Sequence, residues 1–111
     1  GETSRDFCFI ENVVQANILS AMAVDEAKNK VYNIAFGGRT TLNQLFEFIK
    51  SSLRDNGVTD IRSPKLMDFR AGDVRHSQAD ISKAKMLLGY EPNFDIKAGI
   101  VKAMPWYVKK L

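Results

Sequence analysis

The stretch Val31–Ile49, VYNIAFGGRTTLNQLFEFI, decides the fold class. Its first six residues, Val31–Phe36, are rich in β-branched and aromatic side chains, the composition of a strand. Gly37-Gly38 then supplies a turn. Thr41 and Gln44 stand at capping-box spacing: a hydroxyl accepts the third helical N–H and an amide reaches back to the cap. A helix therefore opens behind Thr41. Leu42, Leu45, Phe46, Ile49 and Leu53 recur at helical spacing and form its predicted buried face, and Asn56-Gly57 ends it. Strand, turn and helix in one run point to a mixed α/β chain.

Upstream, RDFCFI (Arg5–Ile10) reads as a short buried strand. From Glu11 the period becomes helical, with Val14, Ile18 and Met22 in one row and Leu19 and Ala23 beside it. Downstream, Ile61–Phe69 reads as extended, and Pro64 confines it to an edge or a strand start. Asp80 is placed to cap a short helix, ISKAKMLL, which Gly89 ends. Asp95 caps a last helix carrying Ile96, Ile100 and Met104, and Pro105 is expected to kink or end it. The expected architecture is a small mixed α/β (α+β) layer forming one domain over residues 1–111. Its strands are too few and too short to stand alone as a doubly wound sheet.

The chain is 45% hydrophobic and 26% charged, values of an ordinary globular domain rather than a disordered tail. Its apolar runs are short and interrupted by charge, so no membrane span or signal segment is expected. One cysteine, Cys8, excludes an internal disulfide and fits a reducing, cytoplasmic setting. Within FCFI it reads as a small hydrophobe. One histidine and one cysteine, far apart, give no metal-ligand spacing. The net charge of +3 is spread among acids rather than gathered in a stripe. Phe46, Phe48 and Phe69 are more simply core than stacking platforms, so nucleic acid is not an expected partner. Gly37-Gly38 lacks the spacing of a phosphate-cradling glycine loop.

What remains is RAGDVRHSQAD (Arg70–Asp80), which has two readings: a charged loop that pairs its own ions, or an anion site. A guanidinium grips phosphate through a planar fork of donors and stays charged at any working pH. Arg70 ends an extended segment, and Arg5 begins the first strand, so both can reach one phosphate group if the segments are neighbours. Gly72 lets backbone approach a ligand. Asp73 beside a phosphate makes sense as an acceptor from hydroxyls, such as those of a ribose. Phosphate with ribose is a nucleotide.

GETSRDFCFIENVVQAN, VYNIAFGGRTTLNQLFEFI and RAGDVRHSQADISKAKMLLGYEP, in that order, resemble the C-terminal part of the extended short-chain dehydrogenase/reductase sugar-nucleotide epimerases. The nearest resemblance is to the UDP-N-acetylglucosamine 4-epimerases of bacterial surface-polysaccharide pathways. The resemblance implies diphosphate contacts for Arg5 and Arg70, a ribose contact for Asp73, and a sugar-pocket position for Ser77. A small residue there leaves room for an N-acetyl group, so a UDP-N-acetylhexosamine is the implied ligand. His76, in the same loop, reads as structural. Asp80, Lys83 and Gly89 frame a helix.

The family's chemistry needs NAD on a Rossmann half and a Tyr-x-x-x-Lys pair. Tyr32, Tyr90 and Tyr107 are followed four residues later by Phe36, Phe94 and Leu111, and no glycine-rich cofactor turn is present. The chain is therefore expected to bind no cofactor alone, to hold a UDP-sugar, and to lack turnover as a fragment of a longer enzyme. Two alternatives stand beside this reading: a non-catalytic interaction or vestigial module that self-associates through uncovered apolar surface, and a piece of a related nucleotide-sugar dehydratase or decarboxylase.

Overall fold

The computed structural model describes every residue except Phe69. Its elements are β1 (Ser4–Arg5), α1 (Ile10–Ala21), a 3-10 turn (Asp25–Ala27), β2 (Thr40–Thr41), α2 (Leu42–Asp55), α3 (Ser82–Leu88) and α4 (Ile96–Val108). The mixed α/β class is as expected. Among the described residues no helix is long and apolar enough to cross a membrane.

The helix signals hold, each through a named bond. Gln44 N–H donates to Thr41 Oγ1 at 3.1 Å, and Thr41 N–H donates to Gln44 Oε1 at 2.9 Å, closing the capping box of α2. Ala98 N–H donates to Asp95 Oδ1 at 2.8 Å at the start of α4. Asp80 acts one position ahead of α3, accepting from Ser82 N–H at 2.9 Å and Ser82 Oγ at 2.6 Å. Those bonds hold its carboxyl below the usual aspartate range. Gly89 closes α3 with φ +69°, a left-handed conformation that suits glycine.

The strands depart from the sequence reading. Val31–Phe36 forms no ladder, and the two-stranded antiparallel sheet pairs Ser4 with Thr41 and Arg5 with Thr40. A strand exists only with a neighbour, and side chains take that role for Val31–Phe36. Lys83 Nζ donates to the Val31 carbonyl at 2.9 Å and Tyr90 Oη to that of Ala35 at 2.7 Å. RDFCFI likewise pairs only at Arg5, and Ile10 already belongs to α1. Ile61–Asp68 contains no strand, and the end of that expectation, Phe69, lies outside the described residues.

The buried faces are also corrected. Val14, Ile18 and Met22 face solvent, while α1 buries Asn12 and Ala16. In α2, Leu42 is exposed, whereas Leu45, Phe46, Ile49 and Leu53 are half-buried. The main core gathers Ala16, Ala27, Ala35, Ile81, Ala84, Leu88 and Tyr90. Small residues dominate it, so the elements approach closely but bury little area each. α4 continues past Pro105 to Val108. The carbonyl deprived of its helical donor by that proline is that of Val101, a residue 55% exposed.

Candidate nucleotide-binding site

Ser4 sits between two neighbours. On one side it pairs with Thr41. On the other, Ser4 N–H donates to the Arg75 carbonyl at 2.9 Å and Ser77 N–H donates to the Ser4 carbonyl at 3.1 Å, a short parallel bridge. Ser4 Oγ and His76 Nδ1 share a further hydrogen bond of 2.7 Å. The first segment and the RAGD loop are thus registered against each other before any charged side chain is considered.

That register brings Arg5 to Asp73. Arg5 Nη2 donates to Asp73 Oδ1 at 2.8 Å, and Nη1 donates to the Ser4 and Arg75 carbonyls at 2.8 and 3.3 Å. Arg70 Nη2 lies 3.5 Å from the other carboxylate oxygen. The turn that allows this closes through Asp73 N–H donating to the Arg70 carbonyl at 3.1 Å, with Gly72 at φ +79°. Glycine is required there for that positive φ, not for space, since nothing lies near where a Cβ would stand.

Of the two sequence readings of the loop, the ion-pairing one is met. The ions do pair, and they pair two guanidiniums to one carboxylate, leaving a net positive charge. The Arg70 side chain is 86% exposed, so most of its donors face outward. A cleft of about 470 Å³ adjoins the cluster, lined by Arg5, Arg70 and Asp73 together with Phe7, Phe46 and Leu66. Cationic donors and an apolar wall in one concavity suit a ligand with an anionic and a flat apolar part. Ser77 does not line this cleft; it sits across the bridge to Ser4.

Sequence reasoning missed Asp6. Its carboxylate accepts from the amides of Phe36 at 3.2 Å, Gly37 at 3.0 and 3.2 Å, and Ala79 at 3.2 Å. A signal was present: a lone acid at the mouth of the apolar run FCFI needs donors. These bonds also decide how Gly37-Gly38 is used. The Gly37 amide already serves a carboxylate, so the turn does not fit a dinucleotide phosphate, and no step through NAD is derived for this chain. Two tyrosines are likewise committed: Tyr32 Oη donates to the Ala27 carbonyl at 2.6 Å, and Tyr90 Oη to that of Ala35. Burial first, and the neighbouring Cys8 second, push the Tyr90 hydroxyl well above the usual tyrosine range. Burial also pushes the Cys8 thiol up, which makes it a poor nucleophile near neutral pH.

No protein-family model matches the chain. Individual proteins do. A provisionally named UDP-glucose 4-epimerase of Methanocaldococcus jannaschii is 33% identical over 106 residues, which are 96% of this chain and 32% of that protein. A UDP-glucose 4-epimerase from Thermotoga maritima, solved with UDP-glucose, superposes with a TM-score of 0.83 at 35% identity. That match covers 99% of this chain and 33% of the solved one. The chain matches the C-terminal part of Rossmann-type sugar-nucleotide epimerases. The UDP-N-acetylglucosamine 4-epimerase of Methanobrevibacter ruminantium, solved with UDP-N-acetylmuramic acid, gives the same TM-score at 37% identity. It is matched over 100% of this chain and 33% of its own length. A more distant neighbour, 27% identical, holds UDP-glucuronic acid together with NAD. The chain therefore spans about a third of the length of the curated relatives it matches.

Proposed function

We propose that this chain is the nucleotide-sugar-binding C-terminal part of an NAD-dependent UDP-sugar 4-epimerase. The observation that carries the reading is the meeting of Arg5 and Arg70 on Asp73 at the mouth of one cleft. The arginines hold the diphosphate, and on ligand entry Asp73 exchanges an arginine for the ribose hydroxyls. Phe7, Phe46 and Leu66 give the base an apolar wall. NAD and the acid–base pair belong to the remainder of the enzyme, so this polypeptide alone does not turn over.

The finer assignment is a UDP-N-acetylhexosamine used in making surface polysaccharide in the cytoplasm. Overall likeness to the glucose and N-acetylglucosamine enzymes is nearly equal, so the acetamido preference rests on the small side chain of Ser77. The reading as a piece of a larger body draws support from shape. The radius of gyration is 16.7 Å, against about 13 Å for a compact domain of this length.

Calorimetry tests the assignment. UDP should bind weakly, inorganic pyrophosphate more weakly, and the chain supplied with NAD and UDP-N-acetylglucosamine should show no epimerisation. Binding of pyrophosphate as tight as UDP argues for a bare anion site. Measurable epimerisation contradicts the assignment of catalysis to the missing part. A second reading, a non-catalytic module that self-associates, is favoured by the solvent-facing row Val14, Ile18 and Met22. Sedimentation separates the two, because a strict monomer that binds UDP leaves only the first.

A further inference from the structure

We propose that Asp6 is a positioning residue for the nucleotide site, an inference that rests on the functional reading just given. The side chains of Arg5 and Asp6 serve different clefts: Arg5 lines the one beside Asp73, and Asp6 lines a second one with Phe36 and Gly38. Successive residues of extended chain point to opposite sides, so fixing Asp6 fixes the direction of Arg5. The fixing is unusually complete. One carboxylate gathers the amides of Phe36, Gly37 and Ala79, which come from two segments far apart in sequence. Gln78 Nε2 closes the same ring by donating to the Gly37 carbonyl at 2.6 Å. Gly37 is thus held on both of its flanking peptides, its N–H by Asp6 and its carbonyl oxygen by Gln78, which adjoins Ser77 and Ala79.

This clip works beside the backbone bridge of Ser4 with Arg75 and Ser77: it adds a second tie between the Arg5 segment and residues 75–79. The contact it is positioned to hold is that of Arg5 with Asp73. An asparagine at position 6 keeps one acceptor but turns the other into a donor facing an amide N–H. Either the Gly37 turn or the Ala79 loop then loses its anchor. The main core, built from Ala16, Ala27, Ala35, Ile81, Ala84, Leu88 and Tyr90, includes neither Asp6, Phe36 nor Gly37, and Ala79 only packs against its edge. The fold is therefore expected to survive while the guanidinium of Arg5 loses its fixed direction.

The test compares the chain with its Asp6→Asn variant well below the melting temperature of both. UDP affinity is measured by titration, and hydrogen exchange at the Arg5 guanidinium is measured without ligand. The expected result is UDP binding weakened on the order of tenfold, as for losing one charged hydrogen bond, with faster exchange at Arg5. A merely structural Asp6 lowers the melting temperature and moves neither readout in the folded protein. Unchanged Arg5 exchange in Asp6→Asn overturns the proposal. If the unmodified chain binds no UDP, the functional reading fails, and Arg5 exchange alone then decides whether Asp6 positions it. Should Asp6→Asn not fold, Asp6→Glu replaces it: both oxygens are kept but displaced by one methylene. Several-fold weaker UDP binding and faster Arg5 exchange are expected from that variant, and unmodified behaviour overturns the proposal.

Discussion

Arg5 and Asp73 meet at 2.8 Å across 68 residues of chain, with Arg70 on the opposite carboxylate oxygen. The pair is about 70% shielded from solvent on each side, yet open enough that its contribution to stability is small. Such pairs are worth about 1 kcal/mol or less. Arg5→Ala is therefore predicted to lower the melting temperature by only a few degrees while weakening UDP binding by about 10–100-fold. Arg5→Lys keeps the charge but not the fork of donors, and should recover only part of the affinity. Calorimetric titration of both variants checks the ordering.

Ser77 lies across the bridge to Ser4 rather than in the cleft wall. On the proposed reading, in which Ser77 borders the sugar, enlarging it should affect the sugar and spare the nucleotide. Ser77→Tyr is predicted to weaken UDP-N-acetylglucosamine several-fold, roughly the value of a few lost or crowded methylene contacts, and to leave UDP unchanged. Equal loss for both ligands would show that the substitution disturbs the loop itself.

Tyr90 is fully buried and donates to the Ala35 carbonyl at 2.7 Å. Tyr90→Phe strands that acceptor and should cost about 1–3 kcal/mol in denaturant unfolding. The pH dependence has a definite sign. The hydroxyl is held in its neutral form in the folded state, so its contribution is complete below the ordinary tyrosine range and is lost as pH rises above about 10. Cys8, also raised by burial, adds a loss of the same sign from about pH 9. Stability of the unmodified chain should thus fall in alkali, and Tyr90→Phe should flatten the upper part of that fall.

Gly99 faces Phe9: a Cβ there would stand 2.7 Å from Phe9 Cγ and 2.8 Å from its Cβ and Cδ1. Helix propensity alone favours alanine by about 1 kcal/mol. The clash is with the branch point of a ring that also packs edge-on against Phe94, so it cannot swing away freely. Gly99→Ala is predicted to destabilise by about 1–3 kcal/mol, read as a lowered melting temperature. A raised one would show that Phe9 repacks without cost.

The helices were legible because their signals are local. Thr41 with Gln44, Asp95 with Ala98, and Gly89 act within one turn of chain. The strands were not, because Val31–Phe36 has the composition of a strand while its hydrogen bonds depend on Lys83 and Tyr90, about fifty residues away. The inward face of α1 misled for a related reason: Asn12 is buried, bonded to the backbone of Asn93 and Phe94, and the apolar row Val14–Ile18–Met22 is left outside. The meeting of Arg5, Arg70 and Asp73 was readable from residue chemistry and family resemblance. Asp6 was not, since an acid beside an arginine looks like surface charge until the three amides it gathers are seen.

In the proposed reading, two guanidiniums and one carboxylate, joined by the fold, form the handle for a uridine diphosphate. Its most direct test is an NMR titration of the labelled chain with UDP, following the guanidinium signals of Arg5 and Arg70 and the carboxyl carbon of Asp73. Saturable shifts at all three, with one common dissociation constant, are the predicted result. Saturation at other surfaces with these three signals unmoved would contradict it.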